Sequence, residues 1–138
     1  MADVTNDRYR SGPRDPRYVE VKASEVINQG DFCDFDASGY LAECDANDTP
    51  TCVAMETITG GATDGLNRAL VDFSTLSVYE MPPDAGTVDH TLIGKTMDCG
   101  GAQSVNIDAT VDDSLACVDV DTNANTVFVR LVPVFAGV

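Results

Sequence analysis

Residues 115–134 read Leu115-Ala116-Cys117-Val118-Asp119-Val120-Asp121-Thr122-Asn123-Ala124-Asn125-Thr126-Val127-Phe128-Val129-Arg130-Leu131-Val132-Pro133-Val134, and this stretch decides the fold class. Ala116, Val118 and Val120 alternate with Cys117 and Asp119, and Val127, Val129 and Leu131 alternate with Phe128 and Arg130. A period of two belongs to a half-buried strand, whose successive side chains point to opposite faces. The Asp-Thr-Asn-Ala-Asn between the two runs is turn chemistry. A C-terminal hairpin follows, with strands over 115–119 and 126–134.

Toward the N-terminus the pattern repeats. Short apolar segments are separated by Gly, Asn, Asp and Pro clusters at spacings of roughly 8 to 15 residues, the signature of an all-β sandwich or barrel built from short antiparallel strands. Strands are expected over 18–22, 31–36, 40–44, 52–56, 69–73, 76–81, 91–97 and 104–108, with Asp36-Ala37-Ser38-Gly39 turning the second into the third. Leu66, Ala69, Leu70 and Phe73 also fit helical spacing, with Thr63 or Asp64 as an N-cap, so a short helix competes there. At 138 residues and 14.6 kDa the chain is one domain. No apolar run approaches the 18 or so residues of a membrane-spanning helix. Met1 to Arg8 shows no secretory pattern, which makes the cytoplasm the expected place of assembly.

Eight basic residues face twenty-three acidic ones, a formal net charge of −15. The imbalance is uneven: residues 1–22 hold five basic and four acidic side chains, and residues 23–138 hold three and nineteen. An acidic body repels nucleic acid phosphates and anionic lipid, so neither nucleic acid nor membrane is an expected partner. Residues 1–17 lack periodic apolar positions and carry Gly12, Pro13 and Pro16 among charges, which reads as an extended N-terminal arm ahead of a β-rich domain at 18–138. In that arm Arg8, Tyr9, Arg10, Arg14, Arg17 and Tyr18 alternate guanidinium and aromatic groups. Such a strip suits an acidic partner surface, because the planar fork of arginine binds carboxylates while stacking on rings.

Chemistry-bearing motifs are sparse. The five cysteines Cys33, Cys44, Cys52, Cys99 and Cys117 contain no CxxC pair, so a structural zinc site is unsupported and buried free thiols are expected. Cys33 and Cys44 are the pair that a hairpin would bring face to face. His90, the single histidine, follows a Pro-Pro turn and has no nucleophile motif beside it, which argues against a hydrolase. Thr59 to Gly65 lacks the lysine of a phosphate loop. Asp34, Asp36, Ser38 and Asp45 match part of a calcium loop, yet strand-like segments rather than helices flank them, so a hairpin turn is the simpler reading. Asn47-Asp48-Thr49 is a glycosylation sequon that needs export to be used. No cofactor is expected.

An Arg/Pro arm leads into Tyr18-Val19-Glu20-Val21-Lys22-Ala23 and Val26-Ile27-Asn28-Gln29-Gly30-Asp31-Phe32. Asp36-Ala37-Ser38-Gly39-Tyr40-Leu41, Cys52-Val53-Ala54 and the closing strands 115–120 and 127–134 follow. In this order the chain resembles the decoration, or capsid cement, proteins of tailed-bacteriophage heads. The resemblance implies a small β-barrel or β-tulip-like sandwich, often a homotrimer, that lacks catalytic residues. It also implies binding to the outer capsid surface where major capsid protein subunits meet, and residence in the virion. On that reading the arm residues Arg8, Tyr9, Arg10, Arg14, Arg17 and Tyr18 grip the capsid, and deleting 1–17 leaves a folded domain that no longer binds. A carbohydrate- or cell-surface-binding β-domain, using calcium at Asp34, Asp36 and Asp45, is the alternative. With 7% aromatic residues and no tryptophan, the ring-lined face it needs is hard to assemble.

Overall fold

A computed structural model of the chain describes residues 8–108 and 113–132. Regular structure there is almost entirely β. The strands are β1 (Tyr9–Ser11), β2 (Pro16–Glu20), β3 (Val26–Ile27), β4 (Phe32–Phe35), β5 (Leu41–Glu43), β6 (Cys52–Ala54), β7 (Ile58–Thr59), β8 (Arg68–Asp72), β9 (Val78–Met81), β10 (Thr96–Gly101), β11 (Ser104–Asn106), β12 (Leu115–Asp121) and β13 (Thr126–Leu131). A 3-10 turn, His90–Leu92, precedes β10, capped by the Asp89 carboxylate accepting from the Thr91 amide. No helix among the described residues is long and apolar enough to cross a membrane.

Two antiparallel sheets form a sandwich-like fold rather than a closed barrel. One has six strands in the order β1-β9-β13-β12-β10-β11; the other has five, β2-β8-β6-β4-β5; β3 and β7 pair separately. Val21, just past β2, bridges in parallel to Leu41 in β5, so the outer strands of the five-stranded sheet are drawn toward each other.

This curl gives the five-stranded sheet a core on each face. Cys33, Cys52, Ala54, Ala69 and Val71 turn inward to Val21, Ile27 and Leu41. Phe32, Val53 and Cys44 turn the other way and join Tyr79, Met81, Met97, Cys99, Leu115, Val127 and Val129 from the six-stranded sheet. Cys52-Val53-Ala54 is therefore apolar without alternation, because both faces of β6 are covered.

The hairpin that decided the fold class is present as β12 and β13, and Val127, Val129 and Leu131 form its buried face as expected. On β12 the expected face is corrected. The register slips between Cys117 and Asp119, and this bulge buries Leu115, Cys117 and Val120 while leaving Val118 exposed. Positions 133 and 134 lie outside the described residues. The helix that competed over 63–73 is absent: Arg68–Asp72 is a strand held between β2 and β6. Over 91–97 the chain makes the 3-10 turn first, and β10 begins only at Thr96.

The largest correction concerns the arm. Residues 1–7 lie outside the described residues, but 8–17 are not detached from the body. Tyr9–Ser11 pairs with β9 on one sheet, and Pro16–Glu20 pairs along its whole length with β8 on the other. The expected boundary at residue 17 falls inside β2. Three residues of β1 are too few for a period to be visible, and Gly12 and Pro13 carry the chain from one sheet to the other. Gly12 sits at φ +94 so close to the Leu76 carbonyl that no side chain fits there.

Candidate docking edge and acidic cleft

The N-terminal side chains settle largely on polar groups of the chain itself. Arg8 Nε donates to Gln103 Oε1 at 3.1 Å. Arg10 Nε meets Glu80 Oε1 at 2.8 Å, and Glu80 is held on its other oxygen by the Thr126 hydroxyl at 2.6 Å. Tyr9 packs edge-on against Tyr79, with ring centroids 5.9 Å apart, and its hydroxyl donates to the Gly12 carbonyl. The Arg14 guanidinium stacks 3.6 Å from the centre of the Tyr9 ring, a cation–aromatic contact within the chain.

Asp72 is the hub of this arrangement and did not stand out in the sequence. It is fully buried at the end of β8. The Tyr79 hydroxyl donates to its Oδ2 at 2.5 Å, the Asp15 and Ser74 amides donate to Oδ1 at 2.9 Å each, and Arg14 Nε lies 4.0 Å from Oδ2. One carboxylate thus ties the N-terminal segment to β8 of one sheet and β9 of the other.

β2 differs from β1 in what it leaves outside. It stands at the edge of its sheet, and four of its five residues are exposed. Tyr18 is 62% exposed, and Leu66, in the turn leading to β8, is 64% exposed. Arg17 pairs with Asp15 at 3.2 Å and Arg68 with Glu20 at 3.7 Å, both at the surface. Exposed pairs of this kind contribute little and exchange partners readily.

Asp34 and Phe35 end β4, and Asp36-Ala37-Ser38-Gly39 turns it into β5. Asp36 Oδ1 accepts from the Ser38 and Tyr40 amides at 2.9 and 3.0 Å, an ordinary turn-locking use of aspartate. Asp34, Asp36 and Asp45 line a cleft of about 330 Å³ together with Lys22, Glu25, Glu43 and Asp48. No group of three or more side chains placed to hold a metal ion occurs among the described residues. His90 is exposed at the start of the 3-10 turn, where its carbonyl accepts from the Ile93 amide at 3.3 Å.

Glu43, which lines the cleft, lies beside buried Asp31, whose carboxylate accepts from Gln103 Nε2 at 2.8 Å and from the Asn28 amide at 2.8 Å. The hydrogen bond to Asp31, then burial, then the charges of Asp31, Glu25 and Asp45 push the Glu43 carboxyl up to about 8. Because this folded value exceeds the unfolded one, the contribution to stability is complete below about pH 4.5 and is lost as pH rises through about 8. Glu43 is partly exposed, so screening holds the effect to about 1 kcal/mol. Urea unfolding of the wild type compared with Glu43→Gln should show the difference changing across roughly pH 5 to 8.5; a constant difference over that range would contradict the raised Glu43 carboxyl.

Comparison with protein-family models, with curated proteins and with solved structures gave no match.

Proposed function

We propose that this chain is a structural virion protein that decorates the outer surface of a tailed-bacteriophage capsid and stabilises the mature head as a homo-oligomer, a trimer by preference. The gripping surface on this reading is the β2 edge with the turn before β8, in place of a free arm. The observation that carries the proposal is the pairing of an exposed edge strand bearing Arg17 and Tyr18, beside Arg68 and Leu66, with a body that is otherwise strongly acidic.

The physics suits the role. An unpaired strand edge offers main-chain donors and acceptors to a strand of the major capsid protein, while side chains on either face supply selectivity. Arg17 and Arg68 can trade their weak surface pairs for carboxylates of a neighbour. A lattice under pressure from packaged DNA gains stability from anything that binds the mature form better than the disrupted form. Repetition over a symmetric shell turns modest contacts into firm retention.

Co-sedimentation with expanded, undecorated heads tests this. The variant carrying Arg17→Glu, Tyr18→Ala and Arg68→Glu should bind on the order of 100-fold more weakly while melting within a few degrees of the wild type. Undiminished retention by that variant, or no retention of the wild type, would overturn the proposal.

A further inference from the structure

β2 is an edge strand, and its hydrogen bonds to β8 fall on alternate residues. The Phe73 amide donates to the Asp15 carbonyl at 3.0 Å, and the Val21 amide donates to the Asn67 carbonyl at 2.9 Å. The main chain of residues 15, 17, 19 and 21 is therefore turned toward β8. That of residues 16, 18 and 20 is turned away from it.

This outward strip has two ends. At Pro16 the ring takes the place of the amide proton, so that residue offers a carbonyl and no donor. At Glu20 the curl of the sheet intervenes. Val21 bridges in parallel to Leu41, with the Lys22 amide donating to the Leu41 carbonyl at 3.0 Å, and the other half of such a bridge sets the Leu41 amide on the Glu20 carbonyl. The groups left without a partner among the described residues are the Pro16 carbonyl, the Tyr18 amide and carbonyl, and the Glu20 amide.

We propose that this strip pairs with the same strip of a second copy, antiparallel about a two-fold axis at Tyr18, so that the protein in free solution is a dimer joined through β2. In that register the set of groups is complementary to itself. The two Tyr18 residues face each other and exchange both amide–carbonyl bonds, and each Glu20 amide donates to the opposing Pro16 carbonyl. The donor that proline lacks lies opposite a Glu20 carbonyl already held by Leu41, so no group is stranded. A slip of two residues, the smallest that keeps outward groups opposed, breaks the match. In one direction it sets Arg17 against Arg17 and leaves both Tyr18 carbonyls unpaired; in the other it aims both Tyr18 amides at the occupied Glu20 carbonyls.

Charge and side chains permit the contact. The acidic excess of each body repels a second copy, but at this edge Asp15 is paired with Arg17 at 3.2 Å and Glu20 with Arg68 at 3.7 Å. Tyr18, 62% exposed, meets its counterpart across the axis, where aromatic cross-strand pairs add to the main-chain bonds. On the capsid reading the same edge grips the shell, so pairing and gripping exclude each other and the dimer opens on binding. An oligomer on the shell then uses other surfaces.

Sedimentation velocity of the full chain from about 1 µM to about 1 mM should show one monomer–dimer transition. Amide hydrogen exchange of the same samples should slow at Tyr18 and Glu20 by at least about 10-fold at the high concentration, with Arg17 and Val19, already in the ladder, unchanged. Tyr18→Pro removes the central donor without touching a bond to β8, and should weaken the dimer on the order of 100-fold while melting within a few degrees of the wild type. Tyr18→Ala keeps both main-chain groups and should still dimerise, about 10-fold more weakly. A chain that stays monomeric throughout, a trimer in free solution, or a dimer whose Tyr18 and Glu20 amides exchange as fast as in dilute samples would overturn the proposal. Exchange is followed on the unaltered chain, so its outcome does not depend on any variant folding. Capsid retention is a separate measurement: a β2 dimer that forms without it bears out the pairing and removes the capsid reading.

Discussion

Deleting residues 1–17 is expected to abolish cooperative folding, the opposite of what a detachable arm would give. The deletion removes β1 whole and the first two residues of β2. It uncovers the outer edge of β9, where Tyr79 is 2% and Met81 0% exposed. It takes from Asp72 both the Asp15 amide and the Arg14 guanidinium, leaving a buried carboxylate short of partners. Stripping one side of a buried charged contact costs about 3–5 kcal/mol, and the lost edge-on contact of Tyr9 with Tyr79 adds about 1 kcal/mol. A domain of this size has about 5–15 kcal/mol in total. Urea titration followed by circular dichroism should therefore show a broad transition or none. A sharp transition within about 1 kcal/mol of the full-length chain would mean that the N-terminal strands contribute nothing, and would restore the independent arm.

The reasons why some of this was legible in the sequence and some was not are physical. Strands with one solvated face announce themselves by alternation, as β13 does with Val127, Val129 and Leu131. Their turns announce themselves through Asp and Gly, as at Asp36 to Gly39. β12 misled because one extra residue at Val118 inverts the face, and nothing local distinguishes a bulge from an unbroken strand. The N-terminal segment misled for a different reason. Its arginines look like groups seeking a distant partner, but Glu80, Gln103 and Asp72, which they meet, lie far along the same chain, 95 positions away in the case of Arg8 and Gln103. Contacts at that separation leave no spacing pattern.

The candidate sites divide along the same line. Asp34, Asp36 and Ser38 were legible as a hairpin turn because the geometry is local. The Asp72 hub depends on contacts between segments distant in the chain, its partners Asp15 and Arg14 lying more than fifty positions away. A hint existed for Asp72 alone: it ends an apolar run, Ala69-Leu70-Val71, and an acid at the end of a buried strand requires donors nearby. Tyr79 and Ser77 would have been candidates, but sequence offers no way to select them from the other hydroxyls.

Asp72→Ala is expected to be among the most damaging single substitutions in the described residues. It leaves the Tyr79 hydroxyl and the Asp15 and Ser74 amides without their acceptor in a dry site, and removes the partner of Arg14. A loss of about 3–5 kcal/mol follows, a fall in melting temperature of roughly 10–20 °C. Asp72→Asn separates charge from shape, since the amide keeps the volume and one acceptor oxygen and should lose about half as much. The pH dependence distinguishes the hub from mere packing. Burial alone would raise the Asp72 carboxyl, but hydrogen bonds from Ser77, Tyr79, Asp15 and Ser74 outweigh it and hold it below 3.8. A folded value lowered in this way contributes stability above the unfolded value and loses it as pH falls through the folded one. The gap between wild type and Asp72→Asn should thus be constant above about pH 5 and close progressively below pH 3.8. A gap that persists undiminished into acid, or an Asp72→Ala variant melting within about 2 °C of the wild type, would show that the carboxylate is a passenger in the core rather than what joins the two sheets to the N-terminal strands.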